Sequence, residues 1–138
     1  MKPGAAGKHY ILELYDCPPD ALDNEKLIRR LVKEGARAAG TTLLLTTSHR
    51  FFPQGLTALG LLTESHLSIH TWPEAGYAAV DLFTCGDHCR PEKACEFLTQ
   101  ALQAGRQELK IILRGKGVQS ENSEPFIRFA RCKPERGV

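Results

Sequence analysis

Apolar residues along this chain fall into two patterns: short runs that alternate with polar positions, and two segments where they return every three or four residues. His9–Tyr15 (HYILELY) reads as a strand. After Pro18 and Pro19, either Asp20 or Asp23 is placed to cap a helix running to about Ala39. Leu27, Ile28, Leu31, Val32, Ala36 and Ala39 share one face of it, and Gly40 supplies the stop. Thr41–Ser48 is β-rich, Pro53-Gln54-Gly55 marks a turn, and Leu56–Thr63 is a second strand-like run. Ser65–Thr71 follows, ended by Trp72-Pro73-Glu74, and then Tyr77–Thr84. Pro91 sits where a first helical turn starts, and Ala94, Cys95, Leu98, Ala101 and Leu102 give a second amphipathic helix ending at Gly105. Gln107–Leu113 is another strand, Arg114–Glu124 is polar and loop-like, Pro125–Arg131 is a last strand, and the charged tail after Cys132 frays.

The expected order is therefore β-α-β-β-β-β-α-β-(β). Four successive strands between two helices favour an α+β protomer of two layers, a mostly antiparallel sheet with helices on one face. The other face stays uncovered in a single copy. Burying it against a second copy gives a homodimer layered α/β/β/α.

At 138 residues the chain suits one domain, 1–138, with a single core. Its 42% hydrophobic and 25% charged residues are ordinary for a soluble globular protein. No apolar run approaches the roughly 20 residues that cross a bilayer, and the polar start before His9 lacks the apolar core of an export signal. A cytoplasmic protein without a membrane partner is expected. The net charge of +2, with Lys and Arg dispersed, gives no nucleic-acid footprint. Five cysteines (Cys17, Cys85, Cys89, Cys95, Cys132) are an odd number and read as reduced thiols.

The chemically unusual segment is Thr63–Glu74, in which two serines, two histidines and two glutamates occur within twelve strand-like residues. Such groups are costly to bury without partners and point to a site. A sheet with one solvated polar face accounts for the same period-two pattern, so the residues alone leave both readings open.

The run Glu64-Ser65-His66-Leu67-Ser68-Ile69-His70-Thr71-Trp72-Pro73-Glu74, with Gly76–Gly86 (GYAAVDLFTCG) after it, resembles the prokaryotic S-adenosylmethionine decarboxylase proenzymes. Gly7-Lys8-His9, Tyr15-Asp16-Cys17, His49-Arg50-Phe51 and Pro53-Gln54-Gly55 fit as well. The resemblance runs from about Gly7 to Ala104 and weakens beyond Gly105. It implies a pyruvoyl-dependent carboxy-lyase that makes decarboxylated S-adenosylmethionine, a small-molecule substrate turned over for spermidine and other polyamines.

By the same resemblance, the Ser65 hydroxyl attacks the Glu64 carbonyl and the chain divides into a β chain, 1–64, and an α chain, 65–138. Ser65 becomes the pyruvoyl group that takes the substrate amine as a Schiff base. His70 matches the processing histidine, Thr57 stands where a relative has a serine assisting it, and Cys85 matches the proton donor. Phe51 matches an aromatic that stacks on adenine, and Glu74 an acid that binds the ribose hydroxyls. Ala75, where the familiar form has tyrosine, and the run Thr57–Leu62 depart from the pattern near the substrate. Residues 65 and 70 are an odd number apart, so an unbroken strand points them to opposite faces; a bend at Ser65 or a contribution across the sheet is required.

On the residues alone, Cys85 also suits a small buried hydrophobe and Phe51 suits core packing, while His66 is open to either role. Cys85, His88 and Cys89, with Cys95 and His49, do not form a standard zinc knuckle, and no second CxxC pair exists, so no metal is expected. Two competing functions remain: a pyruvoyl-dependent arginine or ornithine decarboxylase, and an uncleaved regulatory partner of an active decarboxylase.

Overall fold

In a computed structural model, residues 7–85 and 87–115 are described in full, and 127–130 as backbone. The strands are β1 (Gly7–Tyr15), β2 (Leu43–Arg50), β3 (Leu56–Leu62), β4 (Ser65–Trp72), β5 (Tyr77–Cys85), β6 (Arg106–Arg114) and β7 (Ile127–Ala130). The helices are α1 (Pro19–Leu22), α2 (Glu25–Ala38) and α3 (Pro91–Ala101), with a 3-10 turn at Pro73–Ala75. The seven strands form one sheet in the order β2-β3-β4-β5-β1-β6-β7, and every adjacent pair is antiparallel. The expected α+β architecture is the one found. The tail beyond Ala130 and most of the 114–124 loop lie outside the described residues.

Period-two alternation decides which side chains enter the core. Tyr10, Leu12 and Leu14 of β1, Ala78, Val80 and Leu82 of β5, and Leu67 and Ile69 of β4 point to one face. There they meet Ile28, Leu31, Val32 and Ala36 of α2 and Ala94, Cys95 and Leu98 of α3, all buried. Each large aliphatic side chain so buried contributes about 1.5–3 kcal/mol before entropy is set against it. Gly60 allows α2 to lie this close, since a Cβ there would stand 2.7 Å from Val32 Cγ1 and 3.0 Å from Leu43 Cδ1.

Two helix boundaries differ from the sequence expectation: α3 stops at Ala101, four residues short of Gly105, and α2 starts differently. Pro18 and Pro19 start a separate single turn, α1, and the long helix is capped by Asn24, whose Oδ1 accepts from the Leu27 N–H at 3.0 Å. Neither Asp20 nor Asp23 caps it. The Asp23 carboxylate is engaged elsewhere, accepting from Arg50 and from the Gly55 N–H, each at 3.1 Å, and so ties the β2–β3 loop to the helix start.

The opposite face of the sheet carries no described helix. It presents His9, Glu13 and Tyr15 of β1, His66, His70 and Trp72 of β4, and Tyr77, Asp81 and Phe83 of β5. His9 Nε2 lies 2.9 Å from Asp81 Oδ1, the Tyr77 hydroxyl donates to Glu13, and Tyr15 and Tyr77 stack at 5.4 Å. Leu45, Leu59, Leu61 and Trp72, each between 39% and 51% exposed, add apolar surface to this face.

Candidate active site

Strands β3 and β4 form a hairpin closed by Thr63-Glu64, and Ser65 is the first residue of β4. The Glu64–Ser65 peptide therefore lies at the exit of a tight turn, beside the end of β5, where Ser65 pairs with Thr84. The Thr63 N–H donates to the Thr42 carbonyl at 3.0 Å and pins the turn to the strand before it.

Several groups converge on Glu64. The Cys85 thiol donates to its main-chain carbonyl oxygen, with Sγ 3.0 Å away. The Thr42 N–H donates to one carboxylate oxygen at 3.1 Å, and His88 Nε2 lies 3.4 Å from the other. Burial pushes this carboxyl upward. Hydrogen bonds from the Thr42 N–H, the Thr63 hydroxyl, Glu64's own N–H and His88 outweigh that and hold it below the ordinary glutamate range. The Ser65 hydroxyl is 3.2 Å from His66 Nδ1 and only part-buried. A hydroxyl, an imidazole and a thiol donor on the adjacent carbonyl are groups that acyl transfer within a chain can use.

His70 sits elsewhere. Strand β4 runs unbroken from Ser65 to Trp72, so five residues at ~3.3 Å each separate the two positions by roughly 16 Å. Although Ser65 has a φ of 159°, pairing with β5 is continuous from Ser65↔Thr84 to Trp72↔Tyr77, so no bend carries it to His70. His70 is instead beside Thr57 across the β3–β4 ladder, with Thr57 Oγ1 2.9 Å from its Nδ1.

Phe51 and Glu74 also belong to this far end. Phe51 follows β2 in the turn closed by its own N–H donating to the Gly55 carbonyl at 2.9 Å. Its ring is 49% exposed and meets His49 edge-on at 4.7 Å, so it is no core residue. Glu74 is exposed in the 3-10 turn that ends β4. One chain thus brings Glu64, Ser65, His66 and Cys85 together, and separately gathers Phe51, Thr57, His70 and Glu74.

Of the residues considered for metal, Cys95 is buried in the core and His49 is at the far end. Thr42 and His88 act on Glu64 from 22 and 24 residues away, and no spacing signal points to either.

The family described as S-adenosylmethionine decarboxylase matches residues 8–115, which carries the likeness past Gly105 and through β6. An S-adenosylmethionine decarboxylase proenzyme of Synechococcus sp. (strain WH7803) is 58% identical over 108 residues, covering 78% of this chain and 84% of that one. A proenzyme of the same name from Methanococcus aeolicus is 44% identical over 113 residues, covering 82% and 97%. Among solved structures, the adenosylmethionine decarboxylase of Aquifex aeolicus VF5 superimposes with a TM-score of 0.76 at 34% identity, over 88% of this chain and 98% of that one.

Proposed function

The chain belongs to the S-adenosylmethionine decarboxylase family, and from that premise we propose that it cuts itself between Glu64 and Ser65 and then decarboxylates S-adenosylmethionine for polyamine synthesis. The observation that carries the reading is the Cys85 thiol on the Glu64 carbonyl oxygen at 3.0 Å, with the Ser65 hydroxyl on the next residue. The family resemblance favours this substrate over arginine or ornithine. No described helix is long and apolar enough to cross a membrane. Cys17, Cys85, Cys89 and Cys95 are in no disulfide, which suits action in a reducing compartment such as the cytoplasm.

Self-cleavage proceeds by acyl transfer, elimination and hydrolysis. Ser65 Oγ adds to the Glu64 carbonyl carbon, the amide C–N bond breaks, and the hydroxyl proton passes to the freed nitrogen, leaving an ester. The Cys85 S–H stabilises negative charge on the carbonyl oxygen during the addition. Removal of the Ser65 α-proton then expels the Glu64 carboxylate. One water hydrolyses the remaining dehydroalanine and releases ammonia, leaving a pyruvoyl group at position 65 and fragments 1–64 and 65–138 of a single domain.

The environment of Ser65 suits such a group, being part-buried and next to a thiol. When formed, the pyruvoyl group supplies a carbonyl that condenses with the substrate amine and takes up the electrons left by CO2. The remaining work belongs to side chains. Cys85 holds the proton that returns to the substrate α-carbon. Phe51 offers a ring face to the adenine and Glu74 accepts from the ribose hydroxyls.

The roughly 16 Å between Ser65 and His70 is too long for proton transfer within one chain. In this reading the dimer supplies the missing half. Two copies packed through their open faces bring His70, Thr57, Phe51 and Glu74 of one protomer to the Glu64–Ser65 peptide and Cys85 of the other. The exposed Leu45, Leu59, Leu61 and Trp72 on that face support the packing. Thr57 orients His70 by engaging Nδ1 and leaves Nε2 to take the Ser65 α-proton.

Intact mass spectrometry under denaturing conditions tests the cleavage. Two fragments meeting at Glu64/Ser65, the C-terminal one bearing pyruvoyl in place of serine, are expected; a single full-length mass after long incubation overturns the reading in favour of an uncleaved partner. Turnover of arginine or ornithine equal to that of S-adenosylmethionine by the cleaved protein overturns the substrate alone.

A further inference from the structure

Beside the scissile peptide, three side chains of different chemistry converge: the Glu64 carboxylate, the His88 imidazole and the Cys89 thiol. His88 Nε2 is 3.4 Å from Glu64 Oε1 and 3.4 Å from Cys89 Sγ, and the three donor atoms all lie within 4.8 Å of one another. In a tetrahedral zinc site, with Zn–N and Zn–O of ~2.0 Å and Zn–S of ~2.3 Å, neighbouring donors stand about 3.3–3.6 Å apart. The observed spacing needs little rearrangement to match it.

The Glu64 side chain is 9% exposed whereas His88 is 63% exposed, so one ligand is fixed in the protein and the other faces the solvent from which an ion arrives. Three protein donors leave a fourth position for water.

We infer that Glu64, His88 and Cys89 form a binding site for a thiophilic divalent cation, of which zinc is the representative. The Cys-Gly-Asp-His-Cys spacing alone gives no such site, because its third ligand lies 24 residues upstream and is delivered by the β3–β4 turn. The placement adds a consequence that rests on the proposed cleavage: Glu64 ends one fragment while His88 and Cys89 belong to the other. A bound ion therefore ties the two products of the cut together, and does so beside Cys85.

The binding site itself is testable without any cleavage. The uncleavable Ser65→Ala chain, kept reduced and stripped with chelator, is titrated with Co2+ while its sulfur-to-cobalt charge-transfer absorption is followed, and Zn2+ is then added. One Co2+ per chain, a charge-transfer band and displacement by Zn2+ are expected. In the same background, Cys89→Ser removes the band and His88→Ala weakens binding by at least about tenfold, with circular dichroism confirming that each variant is folded. Absence of the band in the Ser65→Ala chain overturns the proposal. So does a band that survives Cys89→Ser and is lost instead on Cys85→Ser. Failure of the wild-type chain to cleave would leave this titration unaffected, so the two readings fail separately.

Discussion

The two ends of β4 carry different kinds of chemistry. At its first residue, Ser65 stands in a part-buried corner with the Cys85 thiol on the preceding carbonyl and a hydrogen-bonded Glu64 carboxylate. At its other end, His70 and Thr57 form a pair, and Phe51 and Glu74 stand exposed in turns around them. In the proposed reading the first group bears the bonds that change, and the second moves a proton and grips the ligand. A strand rises ~3.3 Å per residue and alternates its faces, so no side-chain rotation joins residues five positions apart. What one strand separates, the proposed dimer would bring together.

The largest expected effect comes from splitting the two ends between chains. Ser65→Ala alone abolishes cleavage, and His70→Ala alone slows it by about 10²–10⁴-fold, the usual worth of a positioned acid or base. When the two variants are coexpressed, the His70→Ala chain regains cleavage in mixed dimers, reaching about half of its copies if pairing is random. Mass spectrometry reads this directly. A His70→Ala chain that stays uncut beside Ser65→Ala breaks the comparison, because the two ends then do not meet across a dimer.

Removing the thiol sharpens the first region. Cys85→Ala is expected to slow cleavage by about 10²-fold, the effect of one lost donor to an oxyanion, and Cys85→Ser to recover most of it because a hydroxyl donates as well. Any protein that does cleave without the thiol should decarboxylate more slowly still, since the proton donor is gone. Equal cleavage rates for the wild type and Cys85→Ala would remove the thiol from processing.

In the far region, Phe51→Ala should leave cleavage unchanged and raise KM for S-adenosylmethionine by about tenfold, in line with the ~0.5–1.5 kcal/mol of an aromatic stack. A change in cleavage rate with KM unaltered would move Phe51 from substrate binding to structure.

The smallest effect concerns pH. The Glu64 carboxyl is held below its ordinary value in the folded protein, so its stabilisation is full above that ordinary value and is lost as pH falls through the lowered one. Thermal unfolding of the Ser65→Ala chain between about pH 5 and pH 3 should show a steeper loss of stability than the same chain carrying Glu64→Gln. Parallel profiles would mean that the Thr42 and His88 contacts contribute nothing.

Much of the layout was legible along the chain. Alternation in His9–Tyr15 and Tyr77–Thr84, the apolar stripe from Leu27 to Ala39 and the stops at Gly40 and Gly105 place the elements to within a few residues, because each is local. The helix cap is not legible, since Asp20, Asp23 and Asn24 are all competent caps, and only the distant Arg50 and Gly55 show that Asp23 is occupied. Ser65 stands out by its sequence neighbours, whereas only the structure puts the His66 ring beside the Ser65 hydroxyl.

By itself the sequence determined the α+β layering, the open sheet face and the family, because periodicity and a long, chemically odd run are properties of order along the chain. Tertiary structure alone decided which groups meet: Cys85 with the Glu64 carbonyl, Thr57 with His70, and Glu64 with His88 and Cys89. Those meetings depend on strand register and on the turns at the strand ends, where contacts 13 to 24 residues apart close to hydrogen-bond distance. Register is fixed by the packing of the whole sheet on its helices, a sum over many residues that no short stretch of sequence contains.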